Sequence, residues 1–195
     1  MKNLIFEIID NIKRSKNIVI ISLVVFFVGF IFGLILTVNE DVFNIHKSHL
    51  FLYYEKIFSN ERLGLSLLVS RIVNSLLLLI LVGVLSLNKY TVYLNFLVLF
   101  YRAFILALIG KIFILELLVL GAILYVFLIL VQAIFISVAI IVFITIIYNK
   151  NCKIDNCFIS LVINAYFISG AIAIIGAIIE FLLIIMLFRP LNLFF

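Results

Sequence analysis

Long apolar runs dominate the sequence and leave little choice of fold. A helix needs about 20 residues to cross the hydrocarbon core of a bilayer, and the run Ile18–Val38 is 21 residues long. Hydrophobic residues make up 68% of the 195-residue chain and charged residues only 12%, against roughly a quarter charged in soluble domains. So little polar surface cannot cover a soluble globule, and the predicted class is a polytopic integral membrane protein.

The spans are predicted to be helices that form one all-α membrane bundle over residues 1–195. A membrane β-barrel needs alternating apolar and polar residues, and the runs show no such alternation. The single Pro of the sequence leaves the runs unbroken. Five transmembrane helices are predicted, over about 18–38, 63–87, 91–110, 121–148 and 158–188.

The stretch Ile112–Tyr148 is 37 residues long, which is too much for a single crossing. We therefore expect a short interfacial or re-entrant segment at 112–120 ahead of the fourth span. Two further segments have apolar residues at helical spacing with charges between them: the N-terminal 1–17 and the loop 39–62. Both are predicted to contain amphipathic helices that lie on the membrane surface.

The distribution of basic residues predicts a cytoplasmic N-terminus and an extracytoplasmic C-terminus, because Lys and Arg favour cytoplasmic segments. In this orientation 1–17 is an inner helix and 39–62 an outer loop. The predicted inner segments hold Lys2, Lys13, Arg14, Lys16, Lys89, Lys150 and Lys153, and the outer ones hold Lys47, Lys56, Arg62, Lys111 and Arg189. The densest basic cluster directly precedes the first span, which usually dominates orientation.

Three charged residues lie inside the predicted spans: Arg71, Arg102 and Glu180. Each lies eight residues from the outer end of its span, or roughly 12 Å at 1.5 Å per residue. Ionisable groups at such depth usually face the bundle interior or a water-filled cavity. We predict that Glu180 pairs with Arg71, Arg102 or both. The alternatives are that these charges form structural ion pairs, that the two arginines snorkel outward to the membrane surface, or that they belong to a transport or partner-docking site.

Neighbouring residues extend this prediction to an intramembrane polar network. Asn74 shares an arc with Arg71, Asn95 shares a face with Arg102, and Gln132 lies near the middle of the fourth span. Small residues let helices approach closely, and two small-residue patterns occur. They are Ser169, Ala173 and Ala177 on the side of Glu180, and Gly29 with Gly33 in the first span. The glycine pair predicts either internal packing, which we favour, or helix dimerisation.

The sequence carries no recognisable catalytic or metal-binding motif, so we expect neither enzymatic activity nor a cofactor. His46 and His49 are too few for a zinc site, and the spacing of Cys152 and Cys157 is not that of a C-x-x-C pair. The net charge of +5 fits basic membrane flanks, and no basic stripe interleaved with aromatics predicts nucleic-acid binding. The lipid bilayer is the predicted partner, and the oligomeric state stays open.

The order of features resembles the stage II sporulation protein M family. The likeness lies in an anchor helix with Gly29–Gly33, a third span with Tyr101–Phe104, a long span with Gln132 and a final span with Ala177–Phe181. That family has five spans, which agrees with the number derived above. The chain departs from the family pattern in three places, where Val131, Ala133 and Ala103 replace an expected Pro, Asn and Gly.

The resemblance implies a non-enzymatic membrane component of the cell membrane. The sporulation member works with two peptidoglycan-cleaving partners during engulfment of the forespore, and relatives also occur outside sporulation. A scaffold for cell-wall hydrolases, with 39–62 as the partner-binding loop, is therefore one hypothesis. The other is a small-solute transporter, or the membrane subunit of one, that uses the three intramembrane charges.

Overall fold

The computed structural model describes residues 16–36, 63–87, 91–149 and 156–188, and every regular element among them is helical. This confirms the predicted all-α class. The described elements are α1 (Lys16–Ile35), α2 (Leu63–Ser86), a 3-10 helix (Thr91–Tyr93), α3 (Leu94–Tyr125), a π-helical turn (Val126–Leu130), α4 (Val131–Asn149) and α5 (Asn156–Phe188).

Five helical segments within the described residues are long and apolar enough to cross a membrane, so the chain is a multi-pass membrane protein. They are Lys16–Ile35, Leu68–Ser86, Thr91–Leu115, Val131–Tyr148 and Ser160–Met186. The predicted surface helix 1–17 lies outside the described residues except for Lys16 and Asn17, which begin α1. The predicted outer loop 39–62 lies outside them altogether.

Contacts between the helices show how their directions alternate. Gly29 of α1 lies against Phe100 of α3, and Gly33 lies against Phe104, so α1 and α3 run parallel. An ideal Cβ built on Gly29 would lie 2.5 Å from the Phe100 carbonyl oxygen, so the two backbones meet where a larger residue does not fit. The G-x-x-x-G pattern therefore serves internal packing, the first of its two predicted uses.

The other helices continue this alternation. Gly83 of α2 faces Val162 of α5, while Gly170 of α5 faces Leu76 of α2, so α2 and α5 are antiparallel. Gly83 also lies against Phe143 of α4, and Ser75 of α2 is hydrogen-bonded to Gln132 of α4. These two contacts make α2 and α4 parallel. Asn95 near the start of α3 donates to Ser86 at the end of α2, so the chain reverses between these two helices. Helices α1, α3 and α5 therefore run in one direction, and α2 and α4 run in the other.

Helix α4 lies at the centre of the bundle, with most of its residues buried. Phe143, Ile140 and Ile144 are completely buried and pack with Leu79 and Leu99 of the neighbouring helices. The other four helices expose large apolar side chains on their outer faces. In water such a surface would be unstable, whereas in a bilayer it contacts lipid tails.

Helix α3 ends differently from the prediction. The predicted third span stopped at 110 and a separate short segment occupied 112–120, but the helix continues through Lys111 and breaks only at Leu118. Leu118 has φ 51° and ψ −124°, a backbone conformation that residues other than Gly rarely adopt. The chain folds back there, so that the Tyr125 hydroxyl donates a hydrogen bond of 3.1 Å to the Leu106 carbonyl.

Candidate functional site

A polar centre forms where four helices of the bundle meet. It consists of Arg71 from α2, Arg102 from α3, Gln132 from α4 and Glu180 from α5. All four belong to the network predicted from sequence. A bilayer core offers no water to solvate such groups, so each must find its partners within the protein.

The small-residue stripe on α5 explains how Glu180 comes to be buried. Ser169, Ala173 and Ala177 recur every four residues and are almost completely inaccessible. Their short side chains let α5 approach its neighbours closely, and Gly176 is in contact with Phe135 of α4. Glu180 continues this face by nearly one further turn, and its side chain is 0% exposed.

Glu180 is paired with Arg71, one of the two partners predicted for it. The Arg71 Nη2 atom lies 3.5 Å from Glu180 Oε1, across the contact between α2 and α5. The Arg71 side chain is 24% exposed, while the carboxylate is fully enclosed. Since the attraction between opposite charges is strong where the dielectric constant is low, the pair favours this register of the two helices.

Gln132 connects the same turn of α2 to the central helix. Its Nε2 atom donates to Ser75 Oγ at 3.2 Å and to the Arg71 carbonyl oxygen at 3.5 Å. Ser75 Oγ in turn donates to the Arg71 carbonyl at 2.7 Å. Ser75 was not among the predicted site residues, although it lies four residues after Arg71 and therefore on the same helical face.

Arg102 lies at the edge of this centre. It is within electrostatic range of both Glu180 and Arg71, and its side chain is partly exposed. Within the described part of the chain it forms neither a hydrogen bond nor an ion pair. Of the two arginines, Arg71 therefore holds the direct contact with the carboxylate, and Arg102 contributes only at longer range.

Two predicted members of the network lie elsewhere. Asn74 is exposed, because it precedes the buried Ser75 by one residue, or about 100° of helical rotation. Asn95 is fully buried but lies near the start of α3, where its Nδ2 atom donates to Ser86 Oγ at 2.8 Å. Asn95 thus helps to hold the connection between α2 and α3 and does not join the charged centre.

The chemistry of the centre is that of a buried charge cluster. It brings together one carboxylate, two guanidinium groups, a primary amide and a hydroxyl. These groups can hold the helices together through ion pairs and hydrogen bonds. If water reached them, they could instead bind an ion. The predicted surface residues His46, His49 and Cys152 lie outside the described residues, as does the side chain of Cys157.

Comparisons with models of known protein families, with curated proteins and with solved structures find no match for this chain. A functional argument therefore depends on the residues and their geometry.

Proposed function

We propose that this chain is a non-enzymatic membrane scaffold, or a subunit of a membrane complex, that positions peptidoglycan-cleaving enzymes at the cell membrane. The proposal rests on the enclosure of the polar centre. Glu180 is 0% exposed and lies in contact with Arg71. A solute pathway through this centre would require access to the carboxylate, whereas a scaffold requires a rigid, closed bundle.

The choice of cell-wall enzymes as the proposed partners rests on the sequence resemblance. The resemblance to the stage II sporulation protein M family implies cell-wall hydrolases, in sporulation or in a related process. In the predicted orientation, with the N-terminus inside and the C-terminus outside, the loop 39–62 faces the cell wall. Its aromatic residues are suited to partner contact, since aromatic side chains are enriched in interfaces.

Photocrosslinking from the outer loop tests this proposal in the native host. A photoreactive phenylalanine replaces Tyr53 or Tyr54, and captured proteins are identified by mass spectrometry. The same residue at position 167 is the matched control, because Phe167 is 69% exposed on the apolar surface of α5. We expect a peptidoglycan-cleaving enzyme to be captured at 53 or 54 and not at 167. Capture at neither loop position, with efficient labelling elsewhere, would refute the scaffold.

A membrane subunit of a transporter is the second candidate, and the break in α3 favours it. Transporters often contain discontinuous helices near their substrate sites, and π-helical turns frequently occur at functional sites. The chain has a reversal at Leu118 and a π-helical turn at Val126–Leu130. Both lie along the segment that leads into α4, which carries Gln132.

Water access to the polar centre distinguishes the two candidates. Ala177 lies three residues before Glu180 and is 1% exposed, so a cysteine at this position reports on the centre with a small change in volume. The native Cys152 and Cys157 are replaced by Ser. A scaffold predicts that a water-soluble maleimide does not label position 177. A transporter predicts that the maleimide labels position 177 and that a transported solute slows this labelling.

A further inference from the structure

Arg102 lies at the boundary between the core of the bundle and its lipid-facing surface. The next residue, Ala103, is completely buried, while the preceding Tyr101 is 63% exposed. Leu97, which lies one helical turn before Tyr101, is 61% exposed. The partly exposed side chain of Arg102 therefore borders a surface that a second transmembrane helix can reach.

The described part of the protein leaves the guanidinium of Arg102 without a direct partner. An arginine carries five N–H donors, and among residues 16–36, 63–87, 91–149 and 156–188 none of those of Arg102 forms a hydrogen bond or an ion pair. The carboxylate in range, that of Glu180, is in contact with Arg71. Arg71 itself repels Arg102, since both are cations. An arginine in hydrocarbon is costly unless it is paired.

We infer that Arg102 is a docking site for the carboxylate of an Asp or Glu in a transmembrane helix of a second membrane protein. This inference rests on the proposed role as a scaffold or complex subunit and gives its partner a chemical signature. Charge complementarity identifies the occupant, because a carboxylate at the same depth carries the opposite charge and accepts hydrogen bonds from the N–H groups of a guanidinium.

The depth of the partner's acid follows from Lys111. The Lys111 Nζ atom donates to the carbonyl oxygens of Leu34 and Leu36 at 3.2 and 3.1 Å, which places it at the end of α1. Arg102 precedes Lys111 by nine residues, or roughly 13 Å along the helix axis. The partner's acidic residue therefore lies about nine residues from the outer end of its transmembrane helix.

A second copy of this chain does not supply that acid. The sequence has nine acidic residues, of which Glu180 alone lies in a predicted span. Glu180 is fully buried beside Arg71, so it is not presented to a neighbour. Glu116 lies five residues beyond Lys111, farther from the depth of Arg102. The interaction is consequently between two different proteins.

The experiment uses the full chain in phosphatidylcholine vesicles with synthetic oligoleucine transmembrane peptides, and it measures association by energy transfer. One peptide carries a Glu nine residues from its end, and matched peptides carry Leu there or the Glu in the terminal turn. We expect the first peptide to bind the wild-type chain about fivefold more tightly than either control peptide, since interhelical hydrogen bonds in membranes contribute about 1 kcal/mol and about 1.4 kcal/mol corresponds to a factor of ten.

Variants of the chain assign the preference to one residue. Arg102→Gln should reduce the preference for the acidic peptide to less than twofold, whereas Arg102→Lys should retain most of it. Lys111→Gln is the matched control, because it removes a cation at the membrane boundary and should leave the preference unchanged. Equal binding of the acidic and leucine peptides to the wild-type chain would overturn the inference, even if Arg102→Gln does not fold. Retention of the preference in a folded Arg102→Gln variant would also overturn it.

Vesicles in which phosphatidylglycerol replaces part of the phosphatidylcholine distinguish a protein partner from a lipid. Persistence of the preference supports the docking site, whereas its loss assigns Arg102 to anionic headgroups and overturns the inference. The result is independent of the loop crosslinks. If the acidic peptide shows no preference, the docking site is wrong but the scaffold proposal is unaffected. If the loop crosslinks fail while the acidic peptide binds, the chain is a subunit of a membrane complex without a link to cell-wall enzymes.

Discussion

Arg71 and Glu180 form an ion pair that joins α2 to α5, with 3.5 Å between Nη2 and Oε1. The hydrogen bond from Gln132 to Ser75 links the same turn of α2 to α4. Two helices are therefore fixed to α2 within about one helical turn. Such a junction limits the sliding of apolar helices past one another, which dispersion contacts alone resist weakly.

Removal of the carboxylate should weaken this junction. We expect Glu180→Gln to lower the free energy of unfolding by about 3 kcal/mol. This is the lower end of the roughly 3–5 kcal/mol that removal of one partner of a buried ion pair costs, because the Arg71 side chain is 24% exposed. The measurement is a titration of detergent-solubilised protein with sodium dodecyl sulfate, followed by circular dichroism. The exposed Asn74, three residues from Arg71 on the same helix, provides the control, because Asn74→Leu should change the unfolding midpoint little.

A double variant tests whether the effect comes from the pair itself. Arg71→Glu combined with Glu180→Arg should recover part of the stability that each single reversal loses, because the exchange restores opposite charges across the same contact. A double variant whose loss equals the sum of the two single losses would show that the two charges do not interact.

The contact between α1 and α3 gives a second prediction. At Gly29 an added Cβ would lie 2.5 Å from the Phe100 carbonyl oxygen, and this backbone oxygen cannot move aside easily. Gly29→Ala should therefore lower the free energy of unfolding by about 1–3 kcal/mol through overpacking. At Gly83 the nearest atom would lie 3.6 Å away, so Gly83→Ala is a matched control with little expected effect in the same titration.

The same two variants distinguish internal packing from helix dimerisation. Because Gly29 lies against α3 of its own chain, its replacement should destabilise the monomer in dilute detergent. A Gly29→Ala variant with wild-type monomer stability that loses an oligomeric form, measured by analytical ultracentrifugation, would contradict the internal role.

The charged pair could be predicted from the sequence because the two patterns that indicate it, depth along each helix and a stripe of small residues, do not depend on how the helices contact one another. Depth along a helix follows from residue number, so the matched heights of Arg71 and Glu180 could be derived in advance. The stripe of small residues that ends at Ala177 indicated a close helix–helix contact on the side of Glu180. Neither signal specifies which arginine comes closer, because that depends on how the helices are arranged around α4.

Other features depend on contacts that a sequence pattern does not encode. Asn95 shares a face with Arg102, yet its Nδ2 atom donates to the nearby hydroxyl of Ser86, where α2 ends and α3 begins. The break in α3 falls on Leu118 and not on Gly or Pro, the residues that usually mark a break, although Gly121 follows three residues later. The excess length of the apolar stretch Ile112–Tyr148 predicted that a break exists but did not identify Leu118.

Leu118 gives a third prediction. Its φ of 51° with ψ −124° is unfavourable for a residue with a Cβ and readily adopted by Gly. Leu118→Gly should therefore raise the free energy of unfolding by about 1 kcal/mol, by relief of backbone strain. The neighbouring Val119 is 76% exposed and not strained, so Val119→Gly should instead destabilise the helix by about 1 kcal/mol. Equal losses in both variants would show that the reversal is not strained.

The predicted orientation of the chain can be tested at two positions on either side of the α2–α3 pair. Lys111 lies at the end of α1, on the predicted outer side, and Leu87 is 49% exposed just after α2, on the predicted inner side. In a background where Cys152 and Cys157 are replaced by Ser, a membrane-impermeant maleimide added to intact cells should label Lys111→Cys and not Leu87→Cys. Lysis should make both accessible, which shows that each cysteine can react. The reverse pattern would place the N-terminus outside, and the loop 39–62 would then face the cytoplasm, where it meets no cell-wall enzyme.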